Sequence, residues 1–176
     1  MKSLVIIPTY NEKENIQAIM EAIWHEQPQV HILVVDDGSP DGTASLVHQA
    51  IGADLPVHII ENPGKGGLGK AYLQGFAWGI EKGFSHCIQM DADFSHRPVD
   101  LKPLLKSLDN HALVIGSRYV AGGKTSNWAW YRKAISLFGS FYSRSILGFP
   151  LRDWTGGFNA WSTELLKKLP LNEVQS

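Results

Sequence analysis

The chain holds one cysteine, Cys87, among 176 residues. No intrachain disulfide can form, and nothing in the cysteine usage points to an oxidising compartment. Cys87 lies inside an apolar run and reads as a small buried hydrophobe. Excess charge is also missing. Lys and Arg number 16 against 17 Asp and Glu, a formal net charge of −1. That balance gives no general electrostatic case for nucleic acid as a partner. No stretch approaches the roughly 18 uninterrupted apolar residues of a membrane span. No secretory signal is expected, because only Leu4-Val5-Ile6-Ile7 stands between Lys2 and Pro8, too short for an h-region. The seven histidines are scattered, and neither H-E-x-x-H nor G-x-S-x-G occurs. His96 reads as a helix-start residue before Arg97-Pro98.

What is present is a rhythm. Short apolar runs at 4–8, 30–35, 57–60, 86–90 and 112–116 alternate with helical patterns at 14–25, 69–82, 98–108 and 131–147. The pattern predicts one α/β domain over residues 1–176 with a mostly parallel central sheet flanked by helices, Rossmann-like. Ile16, Ile19, Met20 and Ile23 form the inner face of the first helix. Tyr72, Phe76, Ala77 and Ile80 form that of the third. Thr9 and Glu12 fit a capping box. Ser39-Pro40-Asp41 suits a helix start, with Ser39 as N-cap. Ligands of such sheets sit beyond the carboxyl ends of the strands. That rule gathers the loops 8–12, 36–38, 62–70, 91–97 and 116–123 around one cleft.

Met90-Asp91-Ala92-Asp93 places a D-x-D where a strand runs out. Two such carboxylates suit a hard divalent cation, Mg²⁺ or Mn²⁺, which completes its shell with water and substrate phosphates. Asp36-Asp37 can accept hydrogen bonds from a base edge or ribose hydroxyls. The 64–71 stretch, Gly64-Lys65-Gly66-Gly67-Leu68-Gly69-Lys70-Ala71, matches a P-loop as far as Lys70. Ala71 then stands where that motif needs Ser or Thr, so a Lys-bearing loop over a diphosphate fits better. Arg118, in Gly116-Ser117-Arg118-Tyr119, can fork onto phosphate or bridge to a cleft acid. Trp128-Ala129-Trp130-Tyr131-Arg132-Lys133 sets aromatics beside cations, which suits a membrane interface. Residues 153–159 read as a polar, glycine-containing turn.

Taken in order, Pro8-Thr9-Tyr10-Asn11-Glu12, residues 36–43, Met90 to His96 and residues 116–119 resemble family 2 glycosyltransferases. Within that family the set is most similar to the dolichol-phosphate (polyprenol-phosphate) mannose synthases. The resemblance implies a GT-A nucleotide-sugar fold, a GDP-mannose donor and a polyprenyl monophosphate acceptor. It places the enzyme at the cytoplasmic face of a membrane, in peripheral contact. It implies nucleotide contacts at Pro8, Tyr10, Glu12, Val35 and Asp37. Metal and diphosphate contacts follow at Asp91, Ala92 and Asp93, and a phosphate contact at Arg118; Lys65, in the loop read above as lying over a diphosphate, is a further candidate phosphate contact. Ser95 stands where some members carry a Gln metal ligand, so either Ser95 or water completes the shell. Family chains continue past the position of Ser176, so the 176 residues are expected to be a catalytic domain lacking its C-terminal segment. A donor such as UDP-glucose, or nucleotide-sugar binding without turnover, remains open at this point.

Overall fold

The computed structural model describes residues 2–53, 55–117, 153 and 156–173. Along the chain run β1 (Ser3–Thr9), α1 (Ile16–Glu26), β2 (His31–Asp36), α2 (Thr43–Gly52), β3 (Val57–Glu61), α3 (Leu68–Glu81) and β4 (His86–Gln89). A 3₁₀ turn at Pro98–Asp100 leads into α4 (Leu101–Leu108), followed by β5 (Leu113–Ile115), β6 (Asn159–Ser162) and α5 (Thr163–Leu166). The sheet order is β3-β2-β1-β4-β6-β5. β3, β2, β1 and β4 are mutually parallel. β6 is antiparallel to both β4 and β5.

β1 and its neighbours are apolar on both sides because helices cover both faces. Val5, Ile7, Ile32, Val34 and Ile88 pack with α1, with Val47 of α2 and with Leu101, Leu104 and Leu108 of α4. Leu4, Ile6, Leu33, Val35 and Cys87 pack with α3 and with Leu166 of α5. Burial pushes the Cys87 thiol up to about 12, so it is an inert core residue. The chain order turns at β1, with β2 on one side and β4 on the other. That switch point is where an α/β sheet opens a crevice for a ligand.

Four local expectations need correction. Thr9 ends β1 and donates to Asp36, so no capping box forms; α1 starts at Ile16 with Asn15 as its N-cap. Ser39 does not cap α2, which starts at Thr43 behind Gly42 at φ 92°. Its side chain turns to Asp36 instead. Residue 159 is no turn but the start of β6. Ala77 is exposed, and Ala71, Gly75 and Gly79 share the inner face of α3 with Tyr72 and Phe76. The helix expected at 131–147 lies outside the described residues.

That inner face explains how close α3 sits. A Cβ on Gly75 would stand 2.5 Å from Ile6 Cγ2, and one on Gly79 would stand 2.7 Å from Cys87 Sγ. Both neighbours belong to a core with no exposed surface. At the other end of the strands, His31 Nδ1 lies 3.2 Å from His58 Nε2, the two rings stacked on each other with Phe84 edge-on to His31 and Trp78 tilted against His58. Burial, with Lys2 nearby, holds the His31 imidazole below its ordinary range. Burial, then His31 and Lys82, do the same for His58.

Gly75→Ala adds a methyl that Ile6 cannot avoid, so it destabilises by about 1–3 kcal/mol. The gain of about 1 kcal/mol in helix propensity does not offset this, and chemical denaturation measures the difference. The two lowered imidazoles mean that the folded chain binds fewer protons than the unfolded one just below the ordinary imidazole value of about 6.5. Stability therefore falls as pH drops through that value. The melting temperature at about pH 5.5 is expected below that at about pH 7.5, and replacing both His31 and His58 by Leu flattens the slope.

Candidate active site

Strand register brings the ends of β1 and β2 side by side, with Thr9 opposite Asp36. The adjacent acids Asp36 and Asp37 then divide their work. Asp36 is 2% exposed and is spent on the scaffold. Its carboxylate accepts from Thr9 Oγ1 at 2.8 Å, Ser39 N at 2.8 Å and Ser39 Oγ at 2.6 Å. Ser39 Oγ in turn accepts from the Asn11 amide at 2.9 Å. The turn carrying Tyr10 and Asn11 is thus tied to the end of β2.

Asp37 faces the glycine loop. It accepts from Asn62 Nδ2, Gly66 N and Gly67 N, each at 2.9 Å. Asn62 is held by a reciprocal amide pair with Gln74 on α3. Burial alone would raise the Asp37 carboxyl, but these donors and the Lys70 ammonium outweigh it and keep it below the usual carboxylate range. The Gly66 and Gly67 amides, which the sequence suggests as a phosphate cradle, are here turned to a carboxylate. Beside them the Lys65 ammonium lies 4.4 Å from the centre of the Tyr10 ring, a cation–π contact. Gly38 must be glycine, with φ 70° and a would-be Cβ 3.1 Å from both Asn62 O and Gly64 N.

On the far side of β1, the chain leaves the sheet after Met90, whose amide still bonds to Ile6 O. Asp91 Oδ1 accepts from the Tyr72 hydroxyl at 3.1 Å. Its amide donates to His96 Nδ1 at 3.2 Å, and its Oδ2 lies 3.8 Å from that nitrogen. Asp93 is exposed, and its Oδ1 accepts from the Ser95 amide at 2.9 Å. Phe94 between them is held at φ 59°, unusual for a bulky residue. Burial, then the charge and hydrogen bond of Asp91, then the charge of Asp93, drive the Tyr72 phenol far above its ordinary range. Each carboxylate therefore has one oxygen anchored by the protein. The set is oxygen-only and suits a hard divalent cation that also takes phosphate and water ligands. Among the described residues no group of three His, Cys, Asp or Glu could hold a metal, so the pair fits a cation shared with a substrate.

The remaining expected residues fall as follows. Glu12 accepts from Asn15 Nδ2, and its amide donates to Thr43 Oγ1. Pro8 is partly buried. Val35 and Ala92 lie in the core at 0% and 3% exposure. Gly116 ends β5 against Phe158, where a Cβ would stand 2.6 Å from Cδ1. Arg118 and the aromatic stretch at 128–133 lie outside the described residues. Sequence reading passed over Tyr72 and took His96 for a helix start, whereas His96 receives the Asp91 amide. The signal for Tyr72 was a phenol on a buried helix face, which needs a partner.

A mostly parallel sheet with two carboxylates beyond β4, next to the switch point at β1, is the layout of the GT-A nucleotide-sugar fold. The model of glycosyl transferase family 2 matches residues 4–170, and the chain belongs to that family. It is 50% identical to the polyprenol monophosphomannose synthase of Mycolicibacterium smegmatis, over 99% of this chain and 67% of that protein. It is 43% identical to the undecaprenyl-phosphate mannosyltransferase of Micrococcus luteus, over 100% and 72%. Identity to the dolichol-phosphate mannosyltransferase of Pyrococcus furiosus is 36%, and there the chain spans 50% of the relative's length. Among solved structures it resembles the mannosyltransferase PcManGT from Pyrobaculum calidifontis, bound to GDP-Man and Mn²⁺. The TM-score is 0.63 at 21% identity, over 96% of this chain and 46% of that one.

If Asp37 anchors the glycine loop, Asp37→Ala frees the Gly66 and Gly67 amides while the sheet keeps its pairing. Hydrogen exchange is expected to speed up at those two amides and to stay unchanged in β1 and β2.

Proposed function

We propose that this chain is the catalytic domain of an inverting enzyme that moves mannose from GDP-mannose to a polyprenyl monophosphate. The observation that carries this reading is the Asp91 and Asp93 pair, each with one oxygen anchored and lying beyond β4. The names of the 36–50% identical relatives support the lipid-phosphate acceptor and the mannosyl group. The GDP-Man and Mn²⁺ in the Pyrobaculum structure support the donor and the cation.

On this reading Asp91 and Asp93 hold Mg²⁺ or Mn²⁺, with Ser95 or water completing the protein side of its shell. Bound there, the cation would neutralise charge on the departing diphosphate. Pro8, Tyr10, Glu12, Val35 and Asp37 surround the nucleoside, and the ionised Asp37 suits the N–H donors of a guanine edge. Lys65 and Arg118 add preorganised positive charge at the phosphates.

The reaction is one displacement. An acceptor phosphate oxygen forms a bond to the anomeric carbon from the face opposite the diphosphate. The bond from that carbon to the diphosphate oxygen breaks, and its electron pair leaves with GDP. A phosphomonoester has a second pKa of about 6 and is mostly dianionic at neutral pH, so no strong general base is needed. The acceptor's prenyl chain supports peripheral contact with a membrane, on the family resemblance at its cytoplasmic face. No described helix is long and apolar enough to cross one.

Asp93→Asn is expected to lower transfer of mannose by about a hundredfold or more with circular dichroism unchanged. Full transfer by this variant at saturating Mg²⁺ would overturn the metal role. Calorimetry with GDP-mannose, UDP-glucose and ATP, each with Mn²⁺, is expected to give tight binding for the first alone.

A further inference from the structure

We propose that Tyr72 and His96 are positioning residues that together fix Asp91 as a cation ligand. The inference rests on the reading of Asp91 as a metal-binding carboxylate. It assigns the aiming of that carboxylate to residues from other parts of the chain.

The need for such residues is plain in the backbone. Met90 makes the last strand-like bond toward β1, to Ile6 O. From Asp91 onward β1 offers no further ladder. The Asp91 amide is instead received by an imidazole, His96 Nδ1 at 3.2 Å. An N–H donor can meet only an unprotonated ring nitrogen, so the proton of the neutral ring lies on Nε2. This bond closes a turn from 91 to 96. The same turn contains Phe94 at φ 59° and the Ser95 amide bonded to Asp93. The orientation of both carboxylates therefore passes through His96.

The imidazole is itself held. It stacks on Phe158, with centroids 5.0 Å apart and planes 16° from parallel. Gly157 lies against the pair. A Cβ there would stand 3.5 Å from His96 Cε1 and 3.8 Å from Asp91 Oδ2. The segment entering β6 thus backs the imidazole that backs Asp91.

Tyr72 acts on the other atom. Its hydroxyl donates to Asp91 Oδ1 at 3.1 Å from a side chain only 5% exposed. A phenol is an O–H donor at neutral pH, and Asp91 is the acceptor its hydroxyl meets. With Oδ1 engaged and the amide fixed, the rotation of the carboxylate is set and Oδ2 is presented. Groups that orient a metal ligand typically change metal affinity 10–100-fold, by order of magnitude, when removed.

The test is Mn²⁺ binding in the presence of GDP, followed by the electron paramagnetic resonance of free Mn²⁺. Tyr72→Phe and His96→Ala are expected to weaken Mn²⁺ by about 10–100-fold. His96→Asn, whose amide oxygen can stand where Nδ1 stands, is expected to recover most of that loss, a rescue a merely space-filling role would not give. Asp93→Asn serves as the control for the metal reading. If it abolishes Mn²⁺ binding while Tyr72→Phe and His96→Ala leave it within twofold, the positioning role is wrong and the metal reading stands. If Asp91→Asn and Asp93→Asn both leave Mn²⁺ binding unchanged, the metal reading falls and takes this inference with it. Should His96→Ala fail to fold, Tyr72→Phe removes a single oxygen and still decides the matter.

Discussion

Everything at the cleft depends on how closely α3 lies on the sheet. Ala71, Gly75 and Gly79 recur every four residues and form the row that meets Ile6 and Cys87. Two glycines inside a helix sacrifice about 1 kcal/mol each relative to alanine. The return is geometric. The helix start holds Gly66 and Gly67 at Asp37, and one turn later Tyr72 reaches Asp91. The four residues from Leu68 to Tyr72 rise about 6 Å, so one rigid element links two acidic centres on separate strands. A helix held further off by side chains could keep the core dry yet would miss both carboxylates.

The second constraint is like charge. Asp36, Asp37, Asp91 and Asp93 all lie at one end of the sheet, and Asp36 and Asp37 are nearly fully buried. A buried carboxylate without donors is strongly unfavourable. The chain answers with hydroxyls for Asp36, with backbone and amide N–H groups for Asp37, a phenol for Asp91 and a backbone N–H for Asp93. These donors are all neutral, so the protein supplies hydrogen bonds here rather than opposite charge. Among the described residues, Lys70 in the first turn of α3 adds positive charge near Asp37, and both it and Lys65 of the glycine loop are exposed.

Much of this was legible in the chain. The run of Leu4 to Ile7 predicts a strand covered on both faces, and the spacing of Ile16, Ile19, Met20 and Ile23 predicts the inner face of α1; both are found. The acidic pairs at strand ends were visible because two adjacent carboxylates have no packing reason to be there. What failed was local chemistry overridden at long range. Thr9 and Ser39 suit N-caps, whose hydroxyl oxygen accepts a backbone N–H, but pairing of β1 with β2 brings both hydroxyls to Asp36 as donors, and α1 and α2 start later. β6 was missed because Asn159-Ala160-Trp161-Ser162 has no apolar run and its pairing with β4 is antiparallel. Ala77 was placed inward by periodicity, since glycine carries no hydrophobic signal even where its lack of a side chain is what the packing uses. His96 was read from its neighbours in sequence, whereas its role comes from Asp91, five residues back, and Phe158, far along the chain.

The surplus of negative charge bears on the order of events at the cleft. On the proposed reading the donor brings a diphosphate and the acceptor a near-dianionic phosphate to a rim that already carries ionised carboxylates. At a separation of about 4 Å, like charges repel by roughly 1 kcal/mol in water and about four times that at a protein surface. Two anionic substrates cannot share such a site without added positive charge. A divalent cation held by Asp91 and Asp93 would offset much of that repulsion, and the Lys65 ammonium would reduce what remains. Cation and donor binding are then mutually reinforcing, and acceptor binding is favourable only after both. On that reading, the acids that look hostile to an anionic substrate would favour an anion that arrives with a metal.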